Sequence, residues 1–135
     1  MKKLFLLAAF CVFIFGCLDS SEEPTGPDPA NLVGLWDVTE IREDGLSYSF
    51  SNARILCSGG SYSGFIYDYQ SEDVDFDGSY STNGDYINVN ITWTTNTGLI
   101  QSGPDSYYYE TDGIDLYIRY TTPLGTLIEI RAVSI

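Results

Sequence analysis

The 135 residues contain no histidine, and lysine occurs only at Lys2 and Lys3. Without an imidazole there is no Ser-His-Asp or Cys-His relay and no histidine to hold a transition metal. Six basic against 19 acidic side chains give a formal charge of −13. That charge repels a polyanion, which argues against nucleic acid as a partner. Cysteine is scarce, with only Cys11, Cys17 and Cys57, too few for a disulfide scaffold. The length suits one ordinary domain. No phosphate-binding Gly-rich loop, nucleophile elbow or zinc spacing occurs in the chain,. Acids are plentiful, as a solvated face needs anyway, and they mark no glycosidase pair. The expectation is a protein with no enzyme activity and no cofactor.

The apolar run from Leu4 to Phe15 has 12 residues, against about 20 for a spanning helix. Preceded by Met1-Lys2-Lys3, it reads as a signal peptide over residues 1–16. Ile14-Phe15-Gly16-Cys17 resembles a bacterial lipobox. The resemblance implies cleavage before Cys17, diacylation of its thiol and acylation of its new amino group, giving a palmitate-type lipid anchor in the membrane. Such processing removes both lysines and Cys11. Four arginines then face all 19 acids, a charge of −15 over 119 residues. Cys57, beside Ile55 and Leu56, is left without an internal partner and reads as a small buried apolar residue. Residues 17–30 carry three prolines, a glycine and the acids Asp19, Glu22, Glu23 and Asp28. That composition reads as a flexible tether. Position 18 is Leu, not the Asp that retains lipoproteins at the inner membrane of enteric bacteria, so the outer membrane is the expected address.

From residue 31 to 135 the apolar residues alternate with period 2. Ile87, Val89, Ile91 and Trp93 are set against Asn88, Asn90 and Thr92. Ile114, Leu116, Ile118 and Tyr120 are set against Asp115, Tyr117 and Arg119, and Ile128, Ile130 and Ala132 against Glu129 and Arg131. Val74, Phe76 and Tyr80 alternate with Asp73, Asp75 and Asp77. Such patterns belong to antiparallel strands with one dry and one wet face. Asp44-Gly45, Gly59-Gly60, Asn83-Gly84 and Asp112-Gly113 supply hairpin turns,. The nine runs 34–42, 46–51, 54–58, 62–69, 74–81, 86–94, a hairpin of 107–111 with 114–121, and 126–133 read as an up-and-down meander of about eight strands. Residues 95–106 form one long connection. An open meander of this size exposes two edges, and closure into a barrel removes both. A β-sandwich would need longer crossovers.

Leu32-Val33-Gly34-Leu35-Trp36 resembles the G-x-W start of lipocalin-like (calycin) domains. The resemblance runs through Tyr48, Phe50, Gly78-Ser79-Tyr80 and the late Tyr-rich hairpin. It implies an all-β, eight-stranded antiparallel lipocalin-like barrel, closed at one end by Trp36 with an arginine, Arg131 ahead of Arg119, packed across its ring. Phe76, Tyr80, Ile87, Val89, Ile91, Leu116 and Ile118, with Phe65 or Ile66, are the expected interior and the candidate lining of a ligand cavity.

Asp73-Val74-Asp75-Phe76-Asp77-Gly78 matches the D-x-D-x-D-G opening of a calcium loop, so Asp73, Asp75 and Asp77 are candidate ligands. The twelfth position is Gly84 where a bidentate Glu belongs, and an acidic outer strand face is the favoured reading. The chain has 11 tyrosines, and those pointing outward suit stacking or protein contact. The leading expectation is a lipid-anchored, non-enzymatic envelope protein that binds a small apolar or aromatic ligand or serves as an envelope accessory. The alternative is a module that binds a basic protein, such as an inhibitor of a lysozyme-type hydrolase.

Overall fold

A computed structural model describes residues 29–96 and 98–135. The signal peptide and Cys17 lie outside the described residues. A short 3-10 turn, Pro29–Leu32, leads into nine strand segments. These are β1 (Gly34–Glu43), β2 (Leu46–Tyr48), β3 (Asn52–Ser58), β4 (Ser61–Tyr69), β5 (Glu72–Asn83), β6 (Tyr86–Thr94), β7 (Gly103–Thr111), β8 (Asp115–Thr121) and β9 (Leu127–Ser134). From β3 onward each strand pairs antiparallel with the next, and β9 returns to pair with β1. Both β2 and β3 lie along the other edge of β1, β2 at Ile41 to Glu43 and β3 at Gly34 to Asp37. They form one interrupted stave, so nine segments close an eight-stranded barrel, the expected all-β architecture. Closure through β1 and β9 pairs every strand segment on both sides except the three-residue β2, which leaves little edge to template aggregation.

Alternation governs burial wherever the ladder is regular. β3 reads exposed and buried by turns, and Ile87, Val89 and Ile91 on β6 all face inward. The pattern breaks once on β6. Asp77 stands opposite Trp93, yet Gly78 stands opposite Ile91, so Thr92 is an extra residue, a β-bulge,. The bulge reverses the parity and Trp93, expected in the core with Ile91, is 51% exposed. Ile114 also differs from expectation. It belongs to the turn before β8, not to the strand, and is exposed.

Turn chemistry follows the glycines. Asp44-Gly45 and Gly59-Gly60 take positive φ at both positions, as type I′ hairpins require,. The β4–β5 corner has no glycine, yet Gln70 and Ser71 adopt φ of 50° and 68°, with Asp68 at 57°. A side chain in this region costs about 1–2 kcal/mol. Ser71→Gly is therefore expected to stabilise the protein by about 1 kcal/mol, a rise of about 4–8 °C in Tm for a domain near this size. A melting curve that is unchanged or lower would remove the claim of strain.

Candidate functional site

One barrel end is sealed from within. Leu32 of the 3-10 turn is fully buried, and its carbonyl accepts a 2.9 Å hydrogen bond from the Trp36 indole Nε1. Trp36 thus lies at the closed end. Arg131 does not cross its ring, contrary to the sequence expectation. Ile130 and Ala132 face inward, so strand parity turns Arg131 outward. Its guanidinium lies 5.0 Å from the centroid of Tyr117 and 3.6 Å from Glu40. Arg119 is also outside, 4.6 Å from the centroid of Tyr108.

The interior is filled by side chains. Phe76, Ile87, Val89, Ile91, Leu116 and Ile118 are all buried, and Tyr80 packs partly buried against them. Of the pair Phe65 and Ile66, Ile66 faces inward. Tyrosines complete the packing in an arrangement that alternation alone does not foretell. Tyr62 meets Phe76 at 5.4 Å and Tyr107 at 6.5 Å, and Tyr107 stacks on Tyr120 at 4.2 Å. Burial holds the phenols of Tyr62, Tyr107 and Tyr120 well above their ordinary pKa, and pushes the Cys57 thiol up to about 12,. Among the described residues, the buried Tyr107 hydroxyl has no hydrogen-bond partner. An unpaired buried hydroxyl costs about 1–3 kcal/mol, so Tyr107→Phe is expected to raise Tm by several degrees. Thermal melting that drops instead would show that this hydroxyl has a partner.

The opposite end is covered by the connection between β6 and β7. Leu99 and Ile100 are buried, and the Tyr120 hydroxyl donates to the Leu99 carbonyl at 2.9 Å. The Asn96 side chain accepts from the N–H groups of Gly98 and Leu99, and its amide donates to Glu72 at 2.9 Å. The Tyr69 hydroxyl and the Gln70 amide both donate to Glu43. What remains at this mouth is a hollow of about 290 Å³ among Glu43, Tyr69, Asn96, Leu99, Thr122 and Leu124. Leu99-Ile100 was the available sequence signal, an apolar pair inside a polar connection.

The acids expected as calcium ligands lie along the extended β5. A strand rises about 3.3 Å per residue, so alternate carboxylates spread in a line and do not wrap around an ion. Asp73 accepts from the Asp68 N–H, and Asp77 accepts from the Thr92 hydroxyl. Among the described residues, no three His, Cys, Asp or Glu side chains cluster to hold a metal.

Two outer walls differ in chemistry. On the wall of β7, β8, β9 and β1, the rings of Tyr108 and Tyr117 carry Arg119 and Arg131. Glu40 bonds Arg42 at 2.8 Å and Tyr117 donates to Glu129 at 2.6 Å. A groove of about 590 Å³ runs here beside Thr39, Glu110, Asp115, Tyr117 and Arg131. On the wall of β4, β5 and β6, Phe65 stacks on Tyr67 at 4.5 Å and stands opposite Asp75, while Trp93 stands opposite Asp77. No lysine or arginine occurs in these three strands.

No protein-family model matches the chain, and no curated protein matches it. Among solved structures, a lipocalin-like protein from Bacteroides uniformis is similar, with a TM-score of 0.55 and 20% identity over 75% of this chain and 97% of that one. The likeness is one of fold: this chain is folded as a lipocalin-like barrel.

Proposed function

We propose that this lipocalin-like barrel is a non-enzymatic binding protein of the bacterial envelope, anchored by acylated Cys17, that recognises a protein partner through its outer surface. The observation that carries the reading is the filled interior. Tyr62, Tyr107 and Tyr120 occupy the space a ligand would need, and Leu99 and Ile100 cover the mouth. A lipocalin-type calyx offers an open apolar cavity of about 300 Å³ or more, whereas the hollow here is rimmed by polar groups. The order of the two sequence expectations is thereby reversed, and a basic partner such as a lysozyme-type hydrolase becomes the leading one. The lipobox residues and the acidic tether support attachment at the outer membrane, with Leu18 the residue that favours it over the inner.

The test is uptake of a fluorescent fatty acid and of an anilinonaphthalene dye by the full chain in detergent. Neither is expected to bind saturably. One equivalent of either entering the barrel would overturn the outer-surface reading and restore the small-ligand one, for which the unpaired Tyr107 hydroxyl would be the polar anchor. Retention of lysozyme at low salt and its release at high salt is the positive arm. Incorporation of labelled palmitate, lost on Cys17→Ser, tests the anchor.

A further inference from the structure

The two walls are built from the same parts, with one part missing from the second. On the wall of β7, β8 and β9, the two outward-facing, partly buried tyrosine rings are each covered by a guanidinium, Arg119 over Tyr108 and Arg131 over Tyr117. Carboxylates flank these cations, Glu129 opposite Arg119 and Glu40 opposite Arg131. Ring, cation and carboxylate make a complete set. On the wall of β4, β5 and β6, ring and carboxylate repeat, Phe65 with Asp75 and Trp93 with Asp77. Among the described residues no cation lies over either ring. The cross-strand neighbour with a positive charge, Arg54 opposite Phe65, is paired with Asp37 at 3.6 Å.

The fold also goes out of its way to present this wall. Trp93 is turned outward only by the bulge at Thr92, which interrupts the β5–β6 ladder,. A bulge that takes a tryptophan out of the core forgoes the burial of the largest side chain in the chain. The adjoining corner is held in positive φ at Asp68, Gln70 and Ser71, and strain of this kind collects where a surface is used.

We propose that the wall of β4, β5 and β6 docks a cationic segment of the partner protein, placing one arginine or lysine over Trp93 against Asp77 and another over the Phe65–Tyr67 stack against Asp75. This deepens the outer-surface reading and rests on it. Charge complementarity selects the occupant. From residue 29 onward the chain has 15 acids and four arginines, and all four arginines lie on other strands. A cation over an aromatic face gains most where it also meets a carboxylate.

The probe is a fluorescein-labelled octa-arginine peptide, followed by anisotropy against the full chain in detergent. Trp93→Ser is expected to weaken binding about 5-fold and Asp75→Asn with Asp77→Asn about 10-fold or more. The pair Glu110→Gln and Asp115→Asn, both exposed, removes the same charge elsewhere and is expected to change affinity less than about 2-fold. All these side chains are on the outside, and circular dichroism confirms that each variant folds. Equal losses in both double variants, or no loss in Trp93→Ser, would overturn the proposal and show only diffuse attraction. Lysozyme retention that survives both wall variants would do the same while leaving the outer-surface reading intact. Two further results would overturn it by giving the wall another occupant: Trp93 quenching by an uncharged oligosaccharide, or self-association that Trp93→Ser abolishes.

Discussion

Gly78→Ala is expected to lower Tm by about 12–24 °C. A Cβ at Gly78 would stand 2.2 Å from the Asn90 carbonyl oxygen and 2.8 Å from the Ile91 Cα. Both are backbone atoms, so no rotamer change relieves the contact. The two strands must separate or lose their register, which overpacking data place at about 3 kcal/mol, and each kcal/mol moves Tm by about 4–8 °C in a domain of this size. Gly78 also sits where the ladder steps past Thr92. The substitution should therefore disturb Trp93 before the barrel melts. In a Trp36→Phe background the emission of Trp93 reports this directly. Ser79→Ala, one residue along, is the control and should melt within about 2 °C of the parent. Equal melting of Gly78→Ala and the parent would mean that the close approach of β5 and β6 does not exist.

Base should unfold this protein abruptly. Tyr62, Tyr107, Tyr120 and Cys57 are held protonated by burial, with folded pKa values above the ordinary ones. A raised folded pKa keeps its stabilisation intact below the unfolded value, here pH 9.0 for the thiol and 10.0 for the phenols. Above those values the unfolded chain releases protons that the folded one retains, and stability falls. Each group costs about 1.4 kcal/mol per pH unit, so four together remove about 5 kcal/mol per unit above pH ~10. A stability of about 5–15 kcal/mol is exhausted within a few units. Tyrosinate absorbance from the buried tyrosines, Tyr62, Tyr107 and Tyr120 among them, and the loss of circular dichroism are expected to coincide in one step. The Cys57 thiol should become reactive toward a disulfide reagent in the same step. Reaction of Cys57 in the folded protein near neutral pH would contradict its burial.

Much of the barrel was legible because period 2 is a backbone property, and Ile87, Val89, Ile91, Leu116 and Ile118 declare their face directly. Legibility ended where the count changes. A bulge adds one residue to one strand, and nothing in Asn90-Ile91-Thr92-Trp93 distinguishes it from regular alternation. Only the close approach at Gly78 marks the place, and a lone glycine in a strand has several readings. The position of Arg131 is a different case. Its outward parity is fixed by Ile130 and Ala132, and the family resemblance outweighed a pattern already visible. Asp73, Asp75 and Asp77 matched a calcium loop in spacing, while Val74 and Phe76 set them on a strand, where the same spacing means one solvent face. The candidate wall was hardest to read, since Phe65, Asp75 and Trp93 are brought together by register across three strands.

The β1–β9 seam joins Trp36 to Ser134 at one end and Glu43 to Ile128 at the other. Partners across it are about 85–98 residues apart, so the first strand made must wait for the last. At about 5–20 residues per second of synthesis, β1 stands for several seconds with its seam edge unpaired. Asp37, Glu40 and Arg42 carry charge along that strand, and charged side chains on an unpaired strand are a general guard against pairing with another chain.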